Sequence, residues 1–310
     1  MLHTVFTIIR TKKMIQNILS GLERKNKFAF YFSLFRIFLC IILLKDIVFC
    51  YPFIDILFKG TSFVEASPVN VLEFFNVSST IFRQNIPLFL SIYTLLIFLL
   101  FFGIGGNITM FLVYLFYEIN QGLSPFIQNG GDNLLKFVML YMIFADSFQY
   151  FSVEKIKPHS SISNFLSNLA GHSVQIHICL VYFISAIHKV HAEVWFNGIA
   201  TYYTLSLERF RGTDMNLSLA KNGIFVTFST YFTLFFELLF PLAIWNKSLR
   251  NIFMLSGILI HIGIFFFMMI YDFQVIFIMI YGFFISNNEW ITLTNKIKNY
   301  IPLNLSLKAR

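Results

Sequence analysis

Long apolar runs separated by short polar breaks set the pattern of this chain. Runs of spanning length, about 20 residues each, fall near 28–50, 86–104, 107–122, 133–151, 170–190, 223–245, 251–270 and 272–288. Each predicts a helix, because hydrocarbon offers backbone N–H and C=O groups no partner outside their own segment. The third run is short and bracketed by Asn107 and Glu118. The seventh and eighth share one apolar block, 252–286, too long for a single span, with Asp272 as the natural turn between them. Tyr271 and Trp290 suit interfacial positions. The pattern predicts an all-α polytopic membrane protein with about eight transmembrane helices.

The loops orient it. Residues 1–27 carry six cations, and with eight spans the same side receives Lys155, Lys157, Lys247, Arg250, Lys296, Lys298, Lys308 and Arg310. The other side receives Lys59, Arg83, Arg209, Arg211 and Lys221. Lys and Arg are retained on the cytoplasmic side, so both termini are expected there and the end of helix five faces outward. The chain then reads as a basic cytoplasmic segment 1–27, a transmembrane domain 28–290 and a short basic cytoplasmic tail 291–310 that suits lipid headgroups. Two outer loops, 51–85 and 191–222, are long enough to fold locally. The first, with Tyr51–Pro52 and Phe74–Phe75, suits the interface. The second turns at Trp195–Gly198 and predicts a short surface helix over Ala200–Phe210.

Composition agrees with lipid as the solvent. Of 310 residues, 57% are hydrophobic and 12% charged, against roughly 25% charged in soluble domains. Forty-two Phe with few Gly and Pro fit helices and not a β-barrel. The net charge of +8 follows from the basic cytoplasmic side, and no nucleic-acid partner is expected. No alanine-type cleavage site follows an apolar core in the first 27 residues, so no cleavable signal is expected. Cys40, Cys50 and Cys179 are too scattered for a redox pair or a zinc site.

Ionisable residues at membrane depth are the best pointers to chemistry. Lys189 ends the fifth apolar run, between His188 and His191 and ahead of the Trp195, Asn197, Gly198 turn. Arg36 sits mid-span in the first run and Glu237 in the sixth; opposite charges in hydrocarbon predict a structural ion pair between them. His177 and His188 are eleven residues apart, three helical turns, so they share a face. His261 lies mid-span in the seventh run. Three membrane histidines can hold a metal, but none has an i,i+4 histidine partner and no HExxH pattern is present; no metal is expected. Asp132, after Gly130–Gly131, suits a helix cap.

Five segments, FRIFLCIILLKDI, NGGDNLLKFVMLY, QIHICLVYFISAIHKVHAEVWFNGIATYY, FFELLFPLAIW and GILIHIGIFFF followed by Phe273, occur in an order that resembles the HTTM superfamily, the membrane domain shared with vitamin K-dependent γ-carboxylase. The resemblance covers about residues 28–288. Length and Phe/Ile-rich character are most similar to the bacterial SdpB-like branch. That resemblance implies a multi-pass protein of the bacterial inner membrane, surrounded by lipid, that supports maturation or export of a secreted antimicrobial peptide with a small partner protein and a peptide precursor. The carboxylase keeps its catalytic lysine in an AGVKKLDADW-type segment. Lys189 in SAIHKVHAEVW stands at the matching place, with His188 replacing the preceding lysine and Trp195 one residue later. The resemblance therefore implies either a base at Lys189, tuned by His188 and His191 with Trp195 and Asn197 positioning its loop, or a lysine kept to tie loop 191–222 to helix five. No lumenal β-rich domain of the carboxylase kind is present, so glutamate carboxylation is not expected. No cofactor is expected on the first reading. Two others stay open: a stand-alone membrane enzyme using Lys189 on a reduced quinone-like lipid, and a non-catalytic immunity or transport protein. No nucleotide-binding glycine loop is present.

Overall fold

The computed structural model describes residues 20–58, 70–154 and 160–300, and among these residues no strand occurs. Each of the eight expected runs forms a helix: α1 Ala29–Cys50, α2 Ile86–Phe102, α3 Gly106–Leu123, α4 Gly130–Met142, α5 Ser161–Val190, α6 Gly223–Ala243, α7 Lys247–Met268 and α8 Tyr271–Ile280, followed by α9 Asn287–Tyr300. Among the described residues, four helical stretches are long and apolar enough to cross a membrane, Ala29–Phe58, α5, α6 and α7. They become five if Tyr271–Phe284 and Asn287–Lys296 form one broken span. α2 is a shorter apolar helix.

Two of the eight are shorter than their apolar runs predict. α4 ends at Met142 and not near 151, giving a helix about 20 Å long. α8 gives way at Tyr281 to a 3-10 turn, Tyr281–Phe284. The break before α8 lies at Met269, whose φ of 55° turns the chain left-handed, so Asp272 falls in the first turn of α8 and not in the loop. Asp132 likewise lies inside the first turn of α4, where a carboxylate faces the positive helix end.

The helix surfaces explain the composition. On α6, Phe228, Phe232, Phe235, Leu239 and Leu242 form an exposed stripe at helical spacing, while Val226, Thr230, Glu237 and Phe240 are buried. On α7, Ile252, Leu255, Leu259, Ile262 and Phe266 are exposed in the same way, as are Leu88, Ile92, Leu95 and Phe102 on α2. A helix in water would carry polar side chains on such a face. Apolar stripes of this extent are compatible with a membrane.

The chain divides into two compact units, one from the described residues of 1–129, 133–173 and 285–310, the other from 130–132 and 174–284. In the first unit, Asn168 near the start of α5 clamps the segment leading into α1. Its amide donates to Leu22 O at 2.7 Å and Lys25 O at 2.8 Å and accepts from Lys27 N–H at 2.7 Å. Asn287 at the start of α9 accepts from Phe30 N–H at 2.8 Å, and the Trp290 ring stacks on Tyr31 at 5.0 Å. The starts of α1, α5 and α9 therefore lie together.

Arg36 anchors that same end, fully buried. It donates to Leu100 O, to Phe101 O at 3.1 Å, to Tyr150 O at 3.3 Å and to Phe151 O at 2.7 Å. Leu100 and Phe101 belong to the last turn of α2, where orphan carbonyls and the helix dipole favour a cation. The reason α4 stops early is visible here: residues 143–154 turn back, and Val153 N–H donates to Phe102 O at 2.9 Å. Gly103, at φ 72°, closes α2, and a Cβ there would strike both Ser152 and the Arg36 guanidinium. Arg10, Lys12, Lys13, Lys59, Lys155, Lys157, Lys308 and Arg310 of the charge pattern lie outside the described residues.

Candidate functional site: a buried polar centre

The second unit holds a group of polar side chains inside an aromatic core. α5 supplies three of them at intervals of seven, Gln175, Tyr182 and Lys189, and this spacing lines one helix face. Gln175 donates to Phe283 O at 2.8 Å. Tyr182 meets His261 of α7, its hydroxyl 2.7 Å from Nε2. It also hydrogen-bonds the Tyr281 hydroxyl. On the far side of the imidazole, His261 Nδ1 faces Gln274 Oε1 of α8.

The partners fix the direction of this chain. Gln274 Oε1 can only accept, so His261 Nδ1 carries the hydrogen and Nε2 is left as acceptor. Tyr182 must then donate to Nε2, which leaves its oxygen to accept from Tyr281. The order is Tyr281 to Tyr182 to His261 to Gln274, every link using one donor and one acceptor. The rings of Phe240 and Phe277 pack on Tyr182 at 4.6 and 5.7 Å, and Phe277 lies 4.9 Å from His261. Gly257 of α7 makes room, since a Cβ there would strike the Tyr281 hydroxyl and the Phe236 ring.

Lys189 and Glu237 form the charged end of the centre. The Lys189 ammonium donates to Glu237 Oε1, with the two side chains 22% and 10% exposed. Lys189 Nζ also lies 4.7 Å from the centre of the Trp195 ring, a cation–π contact. Glu237 Oε2 is buried with no hydrogen-bond partner. A buried carboxylate oxygen with open lone pairs is costly to keep.

No family model, curated protein or solved structure matches the chain. The site therefore rests on its geometry.

That geometry rearranges the expected constellation. The Arg36–Glu237 ion pair does not form: Arg36 donates to backbone carbonyls at the end of α2 and at Tyr150–Phe151, and Glu237 pairs with Lys189. His188 is exposed, one residue off the face that carries Lys189. His191 is exposed as well, its Nδ1 2.7 Å from Ile187 O. His177 is half-buried and does not join the chain of hydrogen bonds described above. Trp195 meets Lys189 through the cation–π contact. Asn197 is exposed and ends the Glu193–Phe196 turn. Gly198, at φ 71°, brings the loop back beneath Tyr231, whose hydroxyl donates to Phe196 O at 2.7 Å. The expected Ala200–Phe210 helix is Ala200–Ser206 followed by a 3-10 turn, Glu208–Phe210. Among the described residues, no group of three His, Cys, Asp or Glu side chains converges to hold a metal.

Tyr182, Gln274 and Tyr281 were not singled out from the sequence. The seven-residue spacing of Tyr182 and Lys189, and a glutamine inside an apolar block, were the available signals.

Proposed function

We propose that this chain is an inner-membrane protein of eight spans with both termini in the cytoplasm, of the HTTM type. It supports maturation or export of a secreted antimicrobial peptide, and it acts through the Lys189–Glu237 centre near the outer face. The bias of Lys and Arg favours that orientation. The grouping of the starts of α1, α5 and α9 with the end of α2 supports alternate crossing.

The observation that carries the reading is the Lys189–Glu237 pair with its unoccupied Glu237 Oε2, set beside a directed hydrogen-bond chain in an otherwise apolar unit. Ionisable groups at such depth are costly unless they do something. An ammonium whose hydrogen already points at a carboxylate is a donor, not a base. Lys189 becomes a base only once a proton has passed to Glu237, the carboxylate that its ammonium already faces. The neutral amine then takes a proton from a peptide or lipid group brought against it.

The test is co-expression with any small secreted precursor found encoded beside the gene, with mature peptide in the medium measured by mass spectrometry. Lys189→Arg keeps the pair with Glu237 but never yields a neutral amine; it should insert normally and release no mature peptide. Full release by the arginine variant would make Lys189 a tether for loop 191–222. A gene standing beside redox enzymes, with no precursor, would move the reading to a quinone-like lipid.

A further inference from the structure

A second buried cation lies far along the chain from this centre. Arg83 belongs to the short Ser79–Gln84 helix, immediately before α2, where the apolar run begins. It is only 8% exposed. Its Nη1 donates to Phe58 O at 2.7 Å and to Leu123 O at 3.2 Å. These carbonyls end the Ile54–Phe58 helix and α3, so one nitrogen ties two helix ends and fixes the plane of the guanidinium.

The rest of the group is left over. Nε and Nη2 are buried and have no hydrogen-bond partner. In a planar guanidinium these two N–H bonds point the same way and form one fork, the edge that grips two oxygens of a phosphate or carboxylate. Arg36 makes the contrast: both of its terminal nitrogens are occupied by carbonyls and only Nε is left over. At Arg83 a complete fork is unoccupied. Burial pushes this guanidinium below its ordinary value, and among the described residues no carboxylate offsets that. Two buried donors left without an acceptor are costly.

The surroundings say which anion. Tyr51, Phe53, Ile56, Phe74 and Ile81 on the neighbouring short helices are exposed, and aromatic and aliphatic side chains at the start of an apolar span suit the headgroup boundary. Neither fork nitrogen is open to water. A free anion would lose its hydration to enter, whereas a headgroup brings acyl chains that suit the exposed apolar side chains nearby.

We propose that Arg83 is the seat of an anionic phospholipid headgroup, its Nε–Nη2 fork holding the phosphate while the acyl chains lie on the exposed side chains of Tyr51, Phe53, Ile56, Phe74 and Ile81. The proposal needs the chain to sit in a membrane, but it does not depend on Lys189 or on any peptide.

The experiment uses the full chain purified in a neutral detergent, with thermal unfolding followed as phosphatidylglycerol, phosphatidylcholine or inorganic phosphate is added. The wild type should be stabilised by phosphatidylglycerol, weakly by phosphatidylcholine, and not by millimolar phosphate. Arg83→Gln should raise the half-saturating lipid concentration by about tenfold or more. Because that variant also releases the two helix ends, Arg83→Lys is measured beside it: an ammonium still reaches the carbonyls but has no fork, so it should fold and still bind about tenfold more weakly. Arg209→Gln removes an exposed cation and should bind like the wild type. Unchanged lipid affinity in Arg83→Lys overturns the site. Phosphate that stabilises as well as the lipid, or displaces it, overturns the lipid as its occupant.

Discussion

Replacing the two members of the Lys189–Glu237 pair one at a time should produce unequal damage. Lys189→Met strands a carboxylate that is 10% exposed and already has one oxygen without a partner. Losing the ammonium then leaves a buried anion with neither oxygen satisfied, a loss of about 3–5 kcal/mol. Glu237→Gln strands the ammonium instead, but that group is 22% exposed and keeps the Trp195 face at 4.7 Å. The amide oxygen of Gln also still accepts its hydrogen bond, so the loss should be about 1–2 kcal/mol. The double variant Lys189→Met, Glu237→Leu removes both charges and should return to within about 1 kcal/mol of the wild type, because apolar pairs replace buried ion pairs at little net loss. The assay is equilibrium unfolding in detergent for all four proteins, read as a double-mutant cycle. Additive losses, or equal losses from the two single variants, would refute the reasoning.

Gly257→Ala should cost about 1–3 kcal/mol by driving a methyl group into the Tyr281 hydroxyl and the Tyr281 and Phe236 rings, as measured by thermal unfolding; unchanged stability would mean that these rings give way freely. Gly198→Ala should cost about 1 kcal/mol or more, since φ is 71° and a Cβ would sit 2.9 Å from the Tyr231 ring; unchanged stability would mean the turn adopts another conformation. A cysteine at exposed Ser218 should react with an impermeant reagent in intact cells and one at exposed Ser160 should not; the reverse labelling would put Lys189 on the cytoplasmic side.

The helices were legible in the sequence because hydrocarbon forces a simple rule: an apolar run of sufficient length must satisfy its own backbone. That rule does not say where a run stops being helical. Residues 143–151 are apolar enough to extend α4, yet their carbonyls turn back to Arg36, and this demand comes from another helix. Asp272 misled for a similar reason, since the turn is made by left-handed Met269, which polarity does not mark.

The site was half legible. Lys189, Glu237, His261 and Trp195 stand out as polar or bulky residues in apolar runs, and the structure brings Lys189, Glu237 and Trp195 into direct contact. Pairing by charge alone chose the wrong cation for Glu237, because a buried arginine can be satisfied by a helix end. Tyr182 and Tyr281 were hidden among 14 tyrosines. A phenol is unremarkable in a membrane helix until its hydroxyl is seen to meet a histidine. His188 and His191 drew notice by adjacency in sequence, whereas helical geometry turns adjacent residues about 100° apart.

The most direct measurement of the polar centre is peptide release by Tyr182→Phe. This change keeps the ring and its packing on Phe240 and removes only the oxygen that joins Tyr281 to His261. The variant should accumulate in the membrane at wild-type levels, and mature peptide from the co-expressed precursor should fall by at least tenfold. Wild-type release from a stable Tyr182→Phe protein would contradict the claim that the buried chain takes part in the function.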